Sequence, residues 1–168
     1  MKYSVIIVNY KTDDYVIGCI ESLRNHCGQH EFEIIVVDNG SNSAKFASKL
    51  IGLDVRHQDA GGNIGFGRGC NLGASIARGD RLVFVNPDIL FTGDALALLA
   101  EGFLDAGEQA IIGLNLAGDD GNPSYAAGHF PSLGVELMEL FYAHRWMRRR
   151  YADLAVAQTY ADRTGRLV

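Results

Sequence analysis

Short apolar runs alternate with segments of helical period along the first two thirds of the chain. The runs Tyr3–Val8, Glu33–Val37 and Arg81–Val85 are rich in β-branched residues and nearly continuous in hydrophobicity, which is typical of parallel strands covered on both faces. The same pattern predicts a further strand of this kind at Ala110–Leu114 and a weaker strand at Asp54–His57.

Helical periodicity occupies the intervals between these runs. The segment Asp13–Asn25 carries apolar residues three and four positions apart, and Thr12 or Asp13 can cap its start. Similar patterns predict helices at about Phe66–Ala77 and at Asp94–Ala106. Strands and helices that alternate in this order predict an α/β fold, with a mainly parallel sheet flanked by helices and joined by right-handed crossovers.

The pattern changes after Leu114. The run Asp119–Pro123 is dense in turn residues, and the segment Ser132–Arg149 predicts one amphipathic helix. We therefore expect two regions: a core at residues 1–115, and a region at residues 116–168 made of a turn, an amphipathic helix and a basic tail.

The composition argues against a disordered, a nucleic-acid-binding, a membrane-spanning or a secreted protein. The chain has 168 residues, of which 48% are hydrophobic and 21% charged, and this excludes a solvated disordered chain. The formal net charge of −5 argues against nucleic-acid binding, which draws most of its affinity from a basic surface. No apolar run approaches the roughly 20 residues that span a bilayer, and the first residues predict a strand rather than a signal peptide. The three cysteines are an odd number without CxxC spacing, so we expect neither a disulfide framework nor a zinc site. Free cysteines are typical of a reducing compartment, and we therefore expect a cytoplasmic protein.

Charge is distributed unevenly along the chain. Residues 1–143 carry nine basic and 18 acidic side chains, whereas residues 144–168 carry six basic and two acidic ones, concentrated at Arg145 and Arg148–Arg150. Cations at a helix end complement the helix dipole. The same cluster also suits peripheral contact with the anionic inner face of a membrane, or with an acidic partner.

Polar residues follow each of the three strong strands. The first strand ends in Asn9-Tyr10-Lys11, the second in Asp38-Asn39-Gly40-Ser41, and the strand at residues 81–85 in Asn86-Pro87-Asp88. Each group alone is ordinary turn chemistry. Together they favour a site, because open parallel sheets bind ligands at the carboxyl ends of their strands. One acid can accept hydrogen bonds from a nucleobase or a ribose, and another can hold a divalent cation against a diphosphate.

A glycine-rich stretch at residues 61–73 adds backbone amides that attract anions at a helix start, and Arg68 adds a charge for a phosphate or a base. A dinucleotide-binding fingerprint is disfavoured, since Leu72 stands where its third glycine belongs. The P-loop pattern is absent from the sequence. Gly69 and Gly73 also suit a packing role, in which a helix lies close to the sheet.

Four ordered stretches, Ser4–Lys11, Glu33–Ser41, Asn63–Gly73 and Gly79–Asp88, resemble family 2 glycosyltransferases, and most closely their rhamnosyltransferase-like branch. The match covers residues 3 to about 92. The resemblance implies a GT-A (Rossmann-like) fold and a nucleoside-diphosphate sugar, dTDP- or UDP-linked, as donor. It also implies inverting transfer to a glycan or lipid-linked acceptor in polysaccharide biosynthesis.

The resemblance also implies roles for particular residues. Asn9 and Tyr10 would lie by the nucleoside, with Asp38 on the base or ribose. Asn63 and Arg68 of the glycine-rich stretch complete the expected nucleotide-binding set. For the metal, Asp88 would face Mg²⁺ or Mn²⁺ and the donor diphosphate, and Asn86 stands where many relatives carry a first aspartate.

The general base that such a reaction needs has no match in this sequence. Asp119, Asp120, Glu136 and Glu139 are acidic but fit no motif, so the catalytic residues stay unassigned and the acceptor half is expected to be lacking. Two interpretations follow: the donor-binding part of a longer enzyme, or a truncated transferase with little activity alone. A non-catalytic nucleotide-sugar-binding module is the alternative of a different class. A nucleotidyltransferase ranks last, since its basic glycine-rich first loop is missing.

Overall fold

A computed structural model of the chain describes residues 2–41, 43–106, 110–118 and 123–124. It divides the chain into two compact units, residues 1–101 and 102–168. The predicted division of roles at residues 115 and 116 stays a prediction. The strands are β1 (Tyr3–Asn9), β2 (Phe32–Asp38), β3 (Arg56–Asp59) and β4 (Arg81–Val85), followed by a two-residue pair, β5 (Leu116–Ala117) and β6 (Pro123–Ser124). The helices are α1 (Asp13–Cys27), α2 (Ser43–Lys49), α3 (Phe66–Ser75) and α4 (Ala95–Ala106).

Strands β1 to β4 form one parallel sheet in the order β3-β2-β1-β4. All seven residues of β1 are buried, and so are the last five of β2, as expected for central strands covered on both faces. Strands β2 and β3 follow β1 on one side of it, whereas β4 lies on the other side. The boundary between β1 and β4 is therefore a topological switch point of the sheet. The predicted α/β fold with a mainly parallel sheet is confirmed.

Helix α3 lies close against one face of the sheet because two glycines face it. A Cβ atom built on Gly69 would lie 2.9 Å from Val8 Cγ1, and one on Gly73 would lie 2.5 Å from Ile6 Cγ2. Such separations are shorter than van der Waals contact, so a side chain at either position would push the helix away from the sheet. The packing role expected for these two glycines is confirmed.

The opposite face of the sheet is covered by α1 and α4. The buried side of α1 carries Val16, Ile20 and Leu23 and lies against β1. Tyr3, which points away from α3, donates a hydrogen bond of 3.2 Å from its hydroxyl to the carbonyl of Leu96 in α4. Helices therefore flank the sheet on both faces.

The amino-terminal edge of the sheet is braced by Glu33. Its carboxylate accepts hydrogen bonds from the Ser4 hydroxyl at 2.7 Å, from the Arg56 guanidinium at 2.9 Å and from the backbone N–H of Arg78. Burial by itself would raise the pKa of Glu33, but these bonds to its charged form hold the pKa at about 2. Glu33 thus joins β1, β2, β3 and the turn before β4.

Several expectations about local structure need correction. The strand expected at Ala110–Leu114 is wrong: these residues form no regular structure, and Ile111 is fully exposed. The weak strand expected at Asp54–His57 lies two residues later, as β3. Helix α2 was not expected, since its seven residues bury only Phe46 as a large apolar side chain.

The expected amphipathic helix at residues 132–149 and the basic cluster at residues 145–150 lie outside the described residues. So do the four unassigned acids Asp119, Asp120, Glu136 and Glu139. Within the ranges given above, no helix combines the length and apolarity that a membrane crossing requires.

Candidate functional site

Neighbouring strands bring their polar tips to one edge of the sheet. Asn9, the last residue of β1, is paired in register with Asp38 of β2, which in turn is paired with Asp59 of β3. On the other side of β1, Val85 pairs with Ile7, so the residues after β4 continue at the same edge. The backbone N–H of Asn39 donates to the Asn9 carbonyl at 2.8 Å and extends the pairing beyond β2.

The side chain of Asn9 is fully buried and bonded on both ends. Its amide nitrogen donates to Asp13 Oδ1 at 2.9 Å and to the Ser41 hydroxyl at 3.1 Å. Its amide oxygen accepts from the backbone N–H and the hydroxyl of Thr12, at 3.0 and 2.9 Å. Asn9 therefore links the end of β1 to the start of α1 and to the loop after β2. The expected contact between Asn9 and a nucleoside stays a prediction.

Asp38 is also fully buried, but its two carboxylate oxygens differ. Oδ1 accepts a hydrogen bond of 2.8 Å from the backbone N–H of Ser41. Oδ2 is buried and finds no hydrogen-bond partner among the described residues. A buried carboxylate oxygen without a partner costs free energy, so Oδ2 is a candidate acceptor for the donor group of a ligand.

Tyr10 and Lys11 form the exposed tip beyond β1. The Tyr10 side chain is 45% exposed, and the Lys11 ammonium lies 5.2 Å from the centre of its ring. Lys11 has a φ of +59°, in the left-handed region that residues with a Cβ rarely adopt. Its backbone N–H donates to the Ser41 hydroxyl at 2.9 Å.

The glycine-rich loop is tied to the loop after β2 by a pair of asparagines. The buried amide of Asn39 donates to Asn63 Oδ1 at 3.3 Å and accepts from the backbone N–H of Ile64 at 2.9 Å. Gly40, with a φ of +102°, lies so close that a Cβ there would be 2.9 Å from the Asn63 nitrogen. Only glycine fits this approach. The two loops therefore form one connected rim beside Asp38.

Helix α3 begins at this rim. Gly65 precedes it with a φ of +86°, and no side chain among the described residues caps its first turn. Asn63 and Arg68 are both exposed, with Arg68 in that first turn. Uncapped backbone amides and a guanidinium are groups that bind anions.

The tip of β4 is held by α1. The Cys19 thiol donates a weak hydrogen bond of 3.9 Å to the Asn86 carbonyl, and the Ser22 hydroxyl accepts from the backbone N–H of Phe91 at 3.1 Å. Burial, and next to it the negative charge of Asp88, raise the pKa of the Cys19 thiol to about 12. Asp88 therefore lies near the helix that begins beside Asn9, with its own side chain exposed.

The oxygen atoms of Asp88 and Asn86 are the kind of ligand that Mg²⁺ and Mn²⁺ prefer. Within the described part of the chain, no group of three or more His, Cys, Asp or Glu side chains could hold a metal ion. The oxygen atoms of Asp88 and Asn86 thus fit a cation whose remaining ligands come from bound phosphate oxygens or water. It does not fit a closed structural metal centre.

Sequence reasoning did not single out Asn39 or Ser41, although both belong to the Asp38–Ser41 motif. The signal for them was their place after a buried strand, where asparagine and serine side chains commonly bind nearby backbone groups. The sequence did not reveal which partners they would find in the neighbouring loops.

The fold and the polar strand tips together define a class of structure: an α/β protein whose parallel sheet carries buried and exposed polar side chains at its carboxyl edge. The family model for glycosyl transferase family 2 matches residues 4–163. The chain belongs to glycosyl transferase family 2.

Named relatives agree with this assignment. Glycosyltransferase GlyG of Streptococcus pneumoniae is 29% identical over an alignment of 127 residues, which covers 71% of this chain and 41% of that protein. YfnE, an uncharacterised glycosyltransferase of Bacillus subtilis, is 33% identical over an alignment of 103 residues, which covers 58% of this chain and 26% of that protein. The chain thus spans well under half the length of these relatives.

Solved structures agree on the fold. TarS residues 1–349 from S. aureus matches with a TM-score of 0.51 and 26% identity, over 63% of this chain and 33% of that one. The mannosyltransferase PcManGT from Pyrobaculum calidifontis, solved with GDP-Man and Mn²⁺, matches with a TM-score of 0.50 and 16% identity, over 61% and 32% of the two chains. The fold is therefore GT-A-like, as the sequence motifs predict.

Proposed function

We propose that this chain carries the donor-binding part of an inverting glycosyltransferase that uses a nucleoside-diphosphate sugar and a divalent cation. One observation carries the proposal: Asp38 is buried at a strand tip, in register with Asn9, and its Oδ2 atom has no partner among the described residues. A nucleobase imide or a ribose hydroxyl is a donor group of the kind that this oxygen lacks.

Around Asp38, each remaining residue has a role within the proposal. Tyr10 presents an exposed aromatic ring beside the nucleoside. Asn63 and Arg68, at the start of α3, add donors for the anionic part of the donor sugar. Asn9 supports the site without contacting the donor, because its side-chain amide is hydrogen-bonded within the protein.

The cation would be held by Asp88, with Asn86 as the second oxygen ligand. A divalent cation there supplies positive charge that stabilises the leaving diphosphate. Because the protein offers a single carboxylate at this tip, the affinity for metal depends on the donor's own phosphates. We expect metal and nucleotide to bind cooperatively for this reason.

The finer assignments are also part of the proposal. The donor is dTDP- or UDP-linked, the chain belongs to the rhamnosyltransferase-like branch, and the acceptor is a glycan or a lipid-linked glycan. Residues 116–168 would begin the acceptor side. All three cysteines are free thiols, which suits the cytoplasm, and the basic residues at 145–150 would give peripheral contact with its membrane.

Calorimetry with UDP, dTDP and GDP, each with and without Mn²⁺, tests the proposal. GDP is included because the structural neighbour PcManGT holds GDP-Man and Mn²⁺. We expect one of the three to bind, and Mn²⁺ to tighten its binding by about tenfold or more. No binding of any nucleoside diphosphate would contradict the proposal.

Release of nucleoside diphosphate from the matching nucleotide sugar separates an enzyme from a binding module. A transferase would release it in the presence of an acceptor glycan or, slowly, by transfer to water. Tight binding of the nucleotide sugar with no release under either condition would favour the non-catalytic module.

A further inference from the structure

Ser41 joins three parts of the strand-tip site. Its hydroxyl accepts hydrogen bonds from the buried amide of Asn9 at 3.1 Å and from the backbone N–H of Lys11 at 2.9 Å. Its own backbone N–H donates to Asp38 Oδ1 at 2.8 Å. One half-buried serine thus contacts the support beneath the site, the exposed tip and the buried carboxylate.

The bond from Ser41 to Lys11 stabilises a strained backbone conformation. A φ of +59° is disfavoured for a residue with a Cβ, and Lys11 adopts it at the point where β1 ends. Without the bond to Ser41, a φ below zero becomes more favourable for Lys11. That change would reorient the peptide that joins Lys11 to Tyr10.

We propose that Ser41 is a positioning residue for nucleotide binding, which holds Tyr10 and Lys11 in the arrangement that the donor meets. In this arrangement the Lys11 ammonium lies above the Tyr10 ring, at 5.2 Å from its centre. An aromatic face and a positive charge are thereby fixed together at the tip of β1, where an anionic nucleotide meets both. The inference rests on the proposed function and adds to it a residue that would not itself touch the donor.

The effect of Ser41 on binding is separable from its effect on stability. If the hydroxyl is removed, the Asn9 amide keeps its bonds to Asp13 and to Thr12. The backbone bond from Ser41 to Asp38 does not involve the hydroxyl either. The change leaves one N–H of the buried Asn9 amide without a partner and so costs some stability, but the remaining bonds hold the fold beneath the site, and the loss of the bond to Lys11 falls on the exposed tip.

The first test compares Ser41→Ala with the matched control Ser48→Ala. The Ser48 hydroxyl is also hydrogen-bonded, but it donates, at 2.7 Å, to the carbonyl of Lys45 within α2. We expect Ser41→Ala to weaken the binding of the preferred nucleoside diphosphate by about fivefold, the worth of one hydrogen bond. The control should bind as the unchanged protein does. Ser41→Ala should unfold at a somewhat lower midpoint than the control, because one N–H of the buried Asn9 amide loses its partner, and it should still be folded at the temperature of the titration.

The second test adds Lys11→Gly, because glycine adopts a positive φ without strain. If Ser41 acts through the backbone of Lys11, Ser41→Ala should change the affinity by no more than about twofold when glycine stands at position 11. An equal loss of affinity with lysine and with glycine would overturn the inference, and so would full affinity in Ser41→Ala alone. If the unchanged protein binds no nucleoside diphosphate, the proposed function itself is contradicted.

Discussion

Asn9 and Asp38 stand opposite each other as the last residues of the two central strands, and both side chains are fully buried. The side-chain amide of Asn9 forms hydrogen bonds with Asp13, Ser41 and Thr12. Asp38 leaves one carboxylate oxygen unpaired among the described residues. Asn9 thus supports the strand tips through its own hydrogen bonds, while Asp38 keeps the free oxygen to which we assign recognition of the donor in the proposed function.

Asp38→Asn should separate binding from stability. The asparagine oxygen can still accept from the Ser41 N–H, and the change removes a buried charge that is only partly compensated. Because the new amide nitrogen would itself be buried without a partner, the two effects oppose each other, and we expect the free energy of unfolding to stay within about 1 kcal/mol of that of the unchanged protein. The affinity for the nucleoside diphosphate should fall by about tenfold or more, since an amide donor would face the ligand's donor. Denaturant unfolding and calorimetry measure the two effects. Glu21→Gln, an exposed change on α1, is the control for both, and a parallel loss of stability and binding in Asp38→Asn would contradict the assignment.

Asp88→Asn should affect metal dependence and little else. Asp88 is exposed at the tip of β4, so the fold does not rely on it. We expect the gain in nucleotide affinity on adding Mn²⁺ to disappear, with the unfolding midpoint unchanged. Asp14→Asn removes another exposed carboxylate, on α1, and should keep the full response to Mn²⁺. A normal Mn²⁺ response in Asp88→Asn would rule out Asp88 as a metal ligand.

Two glycines of α3 form a matched pair for packing. In Gly73→Ala the new methyl group would lie 2.5 Å from Ile6 Cγ2 and 3.2 Å from Val37 Cγ2, so the helix must shift, at a cost of about 1–3 kcal/mol. In Gly67→Ala it would meet no heavy atom of the described chain within 4 Å, and the higher helix propensity of alanine should leave stability equal or slightly raised. Equal stabilities of the two variants in urea would show that the close packing of α3 on the sheet is wrong.

Acid should weaken the brace at Glu33. Hydrogen bonds from Ser4, Arg56 and Arg78 outweigh burial and hold the pKa of Glu33 at about 2, below its usual value of 4.5. A carboxylate with a lowered pKa contributes stability that is complete above the unfolded pKa and is lost as pH falls toward the folded one. The contribution should therefore decline between about pH 4.5 and pH 2.

Glu33→Gln isolates this contribution. We expect it to lower the free energy of unfolding at pH 7 by about 2 kcal/mol, since it weakens charge-assisted bonds. Its unfolding midpoint should then fall less steeply than that of the unchanged protein from pH 5 to pH 3. Curves that stay parallel over this range would place the acid sensitivity elsewhere.

Sequence reasoning succeeded where hydrophobic pattern dominates. Strands β1, β2 and β4 were predicted within two residues at each end because each is a nearly continuous apolar run in the sequence. Burial on both faces holds for β1 and β2, but in β4 Leu82 and Phe84 are exposed. It failed where the pattern is weak or ambiguous. Helix α2 offers one large apolar side chain in seven residues, and the run at Ala110–Leu114 has the composition of a strand without a neighbouring strand to pair with in the described chain.

The meeting of the strand tips at one edge of the sheet was predictable from the sequence, but the hydrogen bonds among them were not. Parallel strands bring their carboxyl ends together, so Asn9, Asp38 and Asp88 could be grouped from sequence. Which polar side chains face inward depends on hydrogen bonds between segments distant in sequence, such as Asn9 to Ser41 and Asn39 to Asn63. These partners follow from the approach of the loops, which Gly40 permits.

Backbone amide shifts on addition of the preferred nucleoside diphosphate with Mg²⁺, a diamagnetic ion, test directly whether the strand tips form one binding site. The account predicts that the largest shifts fall together on residues 9–11 and 38–41 and on Asn86 and Asp88, while residues 31–33 and 78–80 at the opposite edge of the sheet stay unchanged. Shifts confined to one tip, or centred on that opposite edge, would contradict it.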